Sequence, residues 1–206
     1  MNYWFLYTIA TGEIYGSPYL GAVDKWTNIP DGCAVWGPFE EDTASTEVKD
    51  AFAHPNYYTV QNGILIAVSN IVDLQLTDAK IVQLAQLNAG FNKTLNGGFT
   101  AKTLVGTATS PHTYPSDPTA QSNFTGIVAA FTTNPNKTST MFYTINEGYV
   151  NHTKQEFFDV YSDGDTWKEV QYAQLATLEA QVNAITASTP DWLQAIQAIV
   201  WKEVTY

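Results

Sequence analysis

The sequence predicts an α+β fold in two parts: a small, aromatic-rich β-domain over residues 1–72, and an α+β domain over residues 73–206 with a long helix and a terminal helix. Three observations predict it. The first 70 residues combine aromatic and β-branched runs with frequent turn signals, the composition of short strands. From about residue 74 the apolar spacing changes from two to 3.6, which places a boundary there, with residues 73–78 as a short junction. Beyond it, two proline-led helix starts, Asp117-Pro118 and Thr189-Pro190, punctuate the helical half.

Tyr3, Phe5, Tyr7 and Ile9 alternate with Trp4, Leu6 and Thr8, so the first strand is apolar on both faces, and Thr11-Gly12 turns it into Glu13-Ile14-Tyr15 as a hairpin. A second strand over residues 33–39 lies between Pro30-Asp31-Gly32 and Glu40-Glu41-Asp42, and a short helix follows over residues 45–53. Asn62-Gly63 supplies the positive φ angles of a type I′ turn between residues 57–60 and 64–68. Thr77 is placed to cap a helix whose face carries Ile81, Leu84, Leu87, Phe91 and Leu95, and which Asn96-Gly97-Gly98 ends.

Residues 100–117 are rich in Thr, Ser, Pro and Gly, with a strand expected at 102–105. Asp117 then caps a helix reaching about Phe131. Residues 141–145 and 149–150 pair around the turn Asn146-Glu147-Gly148. After Thr153 comes the longest helix, with Phe157, Tyr161, Gly164, Trp167, Gln171, Leu175, Leu178, Val182 and Ile185 on a slowly drifting stripe that ends at Ala187-Ser188. The stripe reads as the core helix of its own domain. Thr189-Pro190-Asp191 opens the terminal helix, which carries Leu193, Ile196, Ile199 and Val200.

Composition excludes several functions. With 45% apolar and 14% charged residues, the 206-residue chain is globular and not disordered. Nine basic residues, all lysine, stand against twenty acidic ones, for a net charge of −11. No basic patch is available to displace counterions from phosphates, and no arginine to read guanine, so nucleic acid is not an expected partner. A single cysteine, Cys33, rules out an intrachain disulfide and a cysteine zinc cage. No apolar run approaches the roughly 18 residues of a membrane span. The first twenty residues have neither a basic start nor an uninterrupted apolar stretch, so synthesis in a cytoplasm without a leader is expected.

Motifs for catalysis are weak. His54, His112 and His152 lie far apart without the short spacing of zinc ligands and read as surface-turn residues, so no metal or other cofactor is expected. No G-x-S-x-G elbow occurs, and Ser116-Asp117 sits where a helix cap is needed. Residues 159–165 match a calcium loop at its first, fifth and sixth positions, but Tyr161 and Val170 stand where ligands belong. Glu147 and Glu156 form a carboxylate pair of the kind that twenty acids yield by chance. No catalytic residue is assigned, and the chain is read as a non-enzyme. Its 28 aromatic side chains are the most unusual feature. Most belong to cores, while Trp4, Tyr19, Trp26 and Trp36 are the candidates for an interface. If the loop before Asp117 were a receptor contact instead of a cap, Tyr114 and His112 would be its contact residues.

An ordered series over residues 80–200 carries a family resemblance. Leu87-Asn-Ala-Gly-Phe-Asn-Lys-Thr-Leu95 precedes Gly97-Gly98-Phe99-Thr100; Tyr114-Pro-Ser-Asp117 precedes Gln121-Ser-Asn123 and a helix. Asn146-Glu-Gly148 and His152-Thr153 then open the long helix, and residues 185–196 close the series. In that order the segment resembles a family of phage tail-associated domains of unknown function, found at the C-terminal end of tail fibre and related tail proteins. It departs from the family in having only Lys80 and Lys93 in the first helix, and Phe142-Tyr143 where a Trp is common. The resemblance implies a structural or host-adsorption component of a bacteriophage tail, assembled in the host cytoplasm and located in the virion. The alternative is a tail fibre assembly chaperone absent from the particle, and a cell-wall or polysaccharide hydrolase is a third reading. Implied partners are other tail or baseplate proteins, further copies of the chain, and a host surface glycan or receptor. The family transfers no catalytic residues.

Overall fold

The computed structural model describes residues 1–23 and 25–206. The fold is α+β, and the chain divides into two compact units, Met1–Thr77 and Asp78–Tyr206.

In the first unit β1 (Asn2–Thr8) is the centre of a three-stranded antiparallel sheet, between β2 (Tyr19–Gly21) and β3 (Cys33–Glu40). A central strand under a covering layer is buried on both faces, which is why Tyr3 to Leu6 are all apolar and all buried. The expected hairpin with residues 13–15 forms as a short extension on the β2 edge of β1: Tyr7 bridges Ile14, the Thr8 amide donates to the Glu13 carbonyl at 2.9 Å, and the Tyr15 amide donates to the Leu6 carbonyl at 2.7 Å. The eight-residue β3 pairs along the opposite edge, so Tyr7 faces Ala34 on one side and Ile14 on the other. Helix α1 (Thr46–Ala53), capped by the Ser45 hydroxyl, lays Val48 and Ala51 on Tyr3 and Phe5. Strands β4 (Tyr58–Gln61) and β5 (Ile64–Ala67) turn at Asn62 and Gly63, whose φ angles of 53° and 75° are those the type I′ turn requires.

Helix α2 (Ile71–Gly97) starts earlier than expected. The presumed junction is already helical, and Thr77 is not a cap: its hydroxyl donates to the Asp73 carbonyl one turn back. Asp73 in the first turn favours the early start, because a carboxylate there meets the positive end of the helix dipole. Ile81, expected on the apolar face, is exposed.

In the second unit β6 (Phe99–Thr100) pairs with β7 (Thr113–Tyr114). The strand expected at 102–105 does not form, because the amides of Lys102 and Thr103 both donate to the Asp163 carboxylate, each at 2.8 Å. Helix α3 (Pro118–Thr133) follows, then β8 (Ser139–Thr144), β9 (Gly148–Thr153) and α4 (Lys154–Ala184). The Thr153 hydroxyl and Glu156 carboxylate close a capping box at the start of α4.

The stripe on α4 is the spine of this unit. Its first half, Phe157, Val160 and Trp167, sits in a cluster with Phe99, Tyr114, Phe124, Phe131 and Phe142. Its second half, Leu175, Leu178 and Val182, packs on Leu87 and Phe91 of α2. Gly164 is glycine because a Cβ there would lie 2.7 Å from the Phe99 ring. The terminal helix α5 (Trp192–Gln197) is shorter than expected, and Thr189 does not cap it. The Thr189 hydroxyl instead accepts from the Thr186 amide, while Asp191 precedes the helix in a left-handed conformation.

Asp117, by contrast, caps α3 as expected, accepting from the amides of Thr119 (2.9 Å) and Ala120 (3.1 Å) with Pro118 at the first helical position. Asp117→Ala should therefore lower stability by about 1 kcal/mol in chemical denaturation. Thr189→Ala, whose residue caps nothing, should cost less.

Candidate functional site

The structure gathers three of the four N-terminal aromatic candidates. Trp4 is buried, its indole N–H donating to the Val23 carbonyl at 3.1 Å. Its ring meets Trp26 at 6.4 Å, and Trp26 meets Tyr19 edge-on at 5.6 Å, so the cluster runs from the inside outwards to an exposed Tyr19. Trp36 stands apart. It packs on Phe39 and Phe5, and its N–H ties to the Gly63 carbonyl at 3.0 Å, which fastens the β4–β5 turn to β3.

His112 and Tyr114 lie inside the second unit, so two of the three presumed surface histidines are not surface residues: His112 is 1% exposed and His152 0%. Tyr114 is brought to His152 by β7 and β9, and its hydroxyl sits 2.8 Å from Nε2. His152 Nδ1 lies 2.9 Å from the Val150 carbonyl, which can only accept. Nδ1 therefore carries the proton, and the tyrosine donates to Nε2. Burial holds the His152 imidazole below its ordinary value and pushes the Tyr114 phenol up, so the pair stays neutral. Phe142 and Thr144 of β8 share the inner face of the hairpin with Val150 and His152 of β9, in the register Phe142–Val150 and Thr140–His152. His112 packs edge-on against Tyr114, and its Nδ1 has no hydrogen bond, with Glu147 Oε1 at 3.7 Å.

A pH dependence follows. In the unfolded chain His152 binds a proton near its ordinary value of about 6.5, whereas the folded protein resists it to lower pH. The unfolded state thus holds more protons in that window, and stability falls as pH drops from about 6.5 through the depressed folded value. The urea midpoint should decline over that window in the wild type, and less steeply in His152→Gln. A second decline, below the ordinary glutamate range, belongs to Glu156. Its carboxyl is held low first by the Gly106 amide and then by the Thr153 hydroxyl and amide.

Three of the carboxylates weighed for chemistry are engaged in structure, while the Glu147 side chain is exposed. Asp163 holds the 102–103 backbone, Asp159 accepts from Gln155, and Glu156 joins the loop at Gly106 to the start of α4. Gly164 of the presumed calcium loop is the close approach to Phe99.

The accessible chemistry lies on the opposite face of the same hairpin. With Phe142 and His152 turned inwards, Met141, Tyr143 and Tyr149 are turned out, 55%, 45% and 71% exposed. Tyr143 and Tyr149 are register partners, so their rings meet across the hairpin at 5.5 Å and 68°. They form one wall of a shallow groove whose other wall is α3, where Thr119, Ser122, Asn123 and Gly126 recur at helical spacing. Sequence reasoning missed this site, because a turn at Asn146-Glu147-Gly148 would set Ile145 opposite Tyr149, whereas the ladder closes one residue earlier, at Thr144 and Gly148, and brings Tyr143 to Tyr149. No helix among the described residues is long and apolar enough to cross a membrane.

Neither the curated proteins nor the solved structures compared with the chain contain a match. One family does match, over residues 78–199, nearly the segment that the ordered motifs picked out and more than half of the chain. The chain belongs to this family, described as a domain of unknown function, DUF4376.

Proposed function

We propose that this protein is a non-catalytic component of a bacteriophage tail, working by binding in host adsorption or tail assembly. The observation that carries the reading is the outward hairpin face, where Met141, Tyr143, Ile145 and Tyr149 stand exposed together beside a groove. Large exposed apolar and aromatic side chains in one patch mark an interaction surface. The ordered motifs over residues 80–200 supply the tail context by resemblance. Support for binding over catalysis comes from Glu156 and Asp163, which are spent on backbone amides, and from the neutral, buried Tyr114–His152 pair.

In this reading the virion is the protein's location, other tail or baseplate proteins and further copies of the chain are its partners, and a host glycan or receptor is its target. The first unit carries the attachment, through the surface around Trp36 and the exposed Ile64. Mass spectrometry of purified virions, combined with adsorption assays on particles lacking the protein, tests the reading. Stoichiometric presence and lost adsorption are expected. Absence from virions with defective fibres would favour the assembly chaperone, and absence with normal particles would refute a tail role altogether.

A further inference from the structure

We infer that the groove between α3 and the β8–β9 hairpin is a binding site for neutral oligosaccharide. The inference deepens the reading of the chain as a binding protein and rests on it. One wall presents the flat faces of Tyr143 and Tyr149, set at 68° to each other, so that one ring can lie under the C–H face of a sugar while the other flanks it. Facing them, Ser122 and Asn123 offer a hydroxyl and a carboxamide, both exposed and neither used in a hydrogen bond within the described protein. The hydroxyls of Tyr143 and Tyr149 are likewise uncommitted. A hexose, with apolar C–H faces and a rim of hydroxyls, matches such a mixed lining.

Charge selects among the occupants. No lysine lines the groove, and its one acid, Asp117, has Oδ1 committed to the α3 cap. A chain of net charge −11 disfavours phosphorylated, sialylated or uronate-bearing glycans. Gly126 adds an independent observation. Glycine inside a helix is unfavourable, yet a Cβ there would meet nothing within 4 Å, so packing does not demand it. The position that packing leaves open is one that lines the groove.

The test uses the full-length chain on an array of neutral glycans built from glucose, galactose, mannose and N-acetylglucosamine, with sialylated and uronate-containing glycans of matched length beside them. Binding to at least one neutral glycan is expected. Tyr149→Ala should weaken it at least about tenfold through loss of a stacked ring, while Tyr149→Phe, which keeps the ring face, should stay close to wild type. Gly126→Leu fills the groove while improving the helix, so its loss of binding cannot be ascribed to unfolding; a thermal melt confirms that. Absence of binding to every neutral glycan, preference for the anionic set, indifference to both Tyr149→Ala and Gly126→Leu, or an oligomer that Tyr149→Ala dissociates would each overturn the inference. Virion incorporation is scored separately: a protein present in virions that binds no neutral glycan loses this inference and keeps its tail role, whereas one that binds glycan but is absent from virions does the reverse.

Discussion

Phe157→Ala is expected to destabilise the second unit by about 3–5 kcal/mol, a large share of what holds a domain together. Phe157 is fully buried, and its ring meets Phe124 at 5.5 Å, Phe142 at 5.3 Å, Phe131 at 5.7 Å and His152 at 6.1 Å. Those neighbours come from α3, β8 and β9, so truncation removes the side chain on which three elements converge. The surrounding rings are too rigid to collapse into the space, which puts the cost in the upper range for such changes. Urea denaturation followed by tryptophan emission would read Trp167, which shares this cluster. A loss under 1 kcal/mol would mean that the cluster does not hold the unit together. The exposed groove residues supply the comparison, since Tyr149→Ala should leave the denaturation midpoint nearly unchanged.

The second large effect is expected at Gln171. This buried residue sits in the apolar stripe of α4, where its side chain behaves as a piece of backbone: Nε2 donates to the Val204 carbonyl at 2.7 Å, and Oε1 accepts from the Val204 amide at 3.1 Å. Gln171→Leu keeps the volume and removes both bonds, orphaning a donor and an acceptor together. A cost of about 2 kcal/mol follows from leaving partly buried backbone groups unpaired. The readout that separates this from a simple packing defect is local. The Val204 amide should lose its hydrogen-exchange protection while amides in the middle of α4 keep theirs. Trp201, whose N–H donates to Thr94, and Tyr206, whose hydroxyl donates to the Thr100 carbonyl, anchor the same segment. Release should therefore be partial, and greatest near Val204.

Much of the architecture was legible because its causes are local. The Asn62-Gly63 hairpin, the Asp117-Pro118 start, the Gly164 notch and the stripe from Phe157 to Val182 each depend on residues a few positions apart. Backbone angles, caps and helical period act at that range. The errors share a different cause. At residues 102–105 the composition suits a strand, but a carboxylate some sixty residues further on captures the amides. Thr189 has a cap's identity and position but serves the turn before it, bonding to the Thr186 amide. In both cases the local preference was real and another bond displaced it: a distant carboxylate in the first, and the turn three residues back in the second.

The candidate site divides in the same way. The sequence by itself determined that the chain is α+β, acidic and free of arginine, and that the strands flanking Asn146-Glu147-Gly148 pair as a hairpin. The structure set the register, which closes at Thr144 and Gly148 and so puts Tyr143 opposite Tyr149. Only the tertiary structure decided which face of that hairpin meets water. Both faces carry aromatic or apolar residues, so alternation left the choice open. Packing settles it: Phe142 fits against Phe124 at 4.3 Å, and the hydroxyl of the buried Tyr114 requires a buried acceptor, which His152 provides. An unpaired buried donor is costly, so the hairpin turns His152 inwards, and the tyrosines that oppose each other across the turn are left outside.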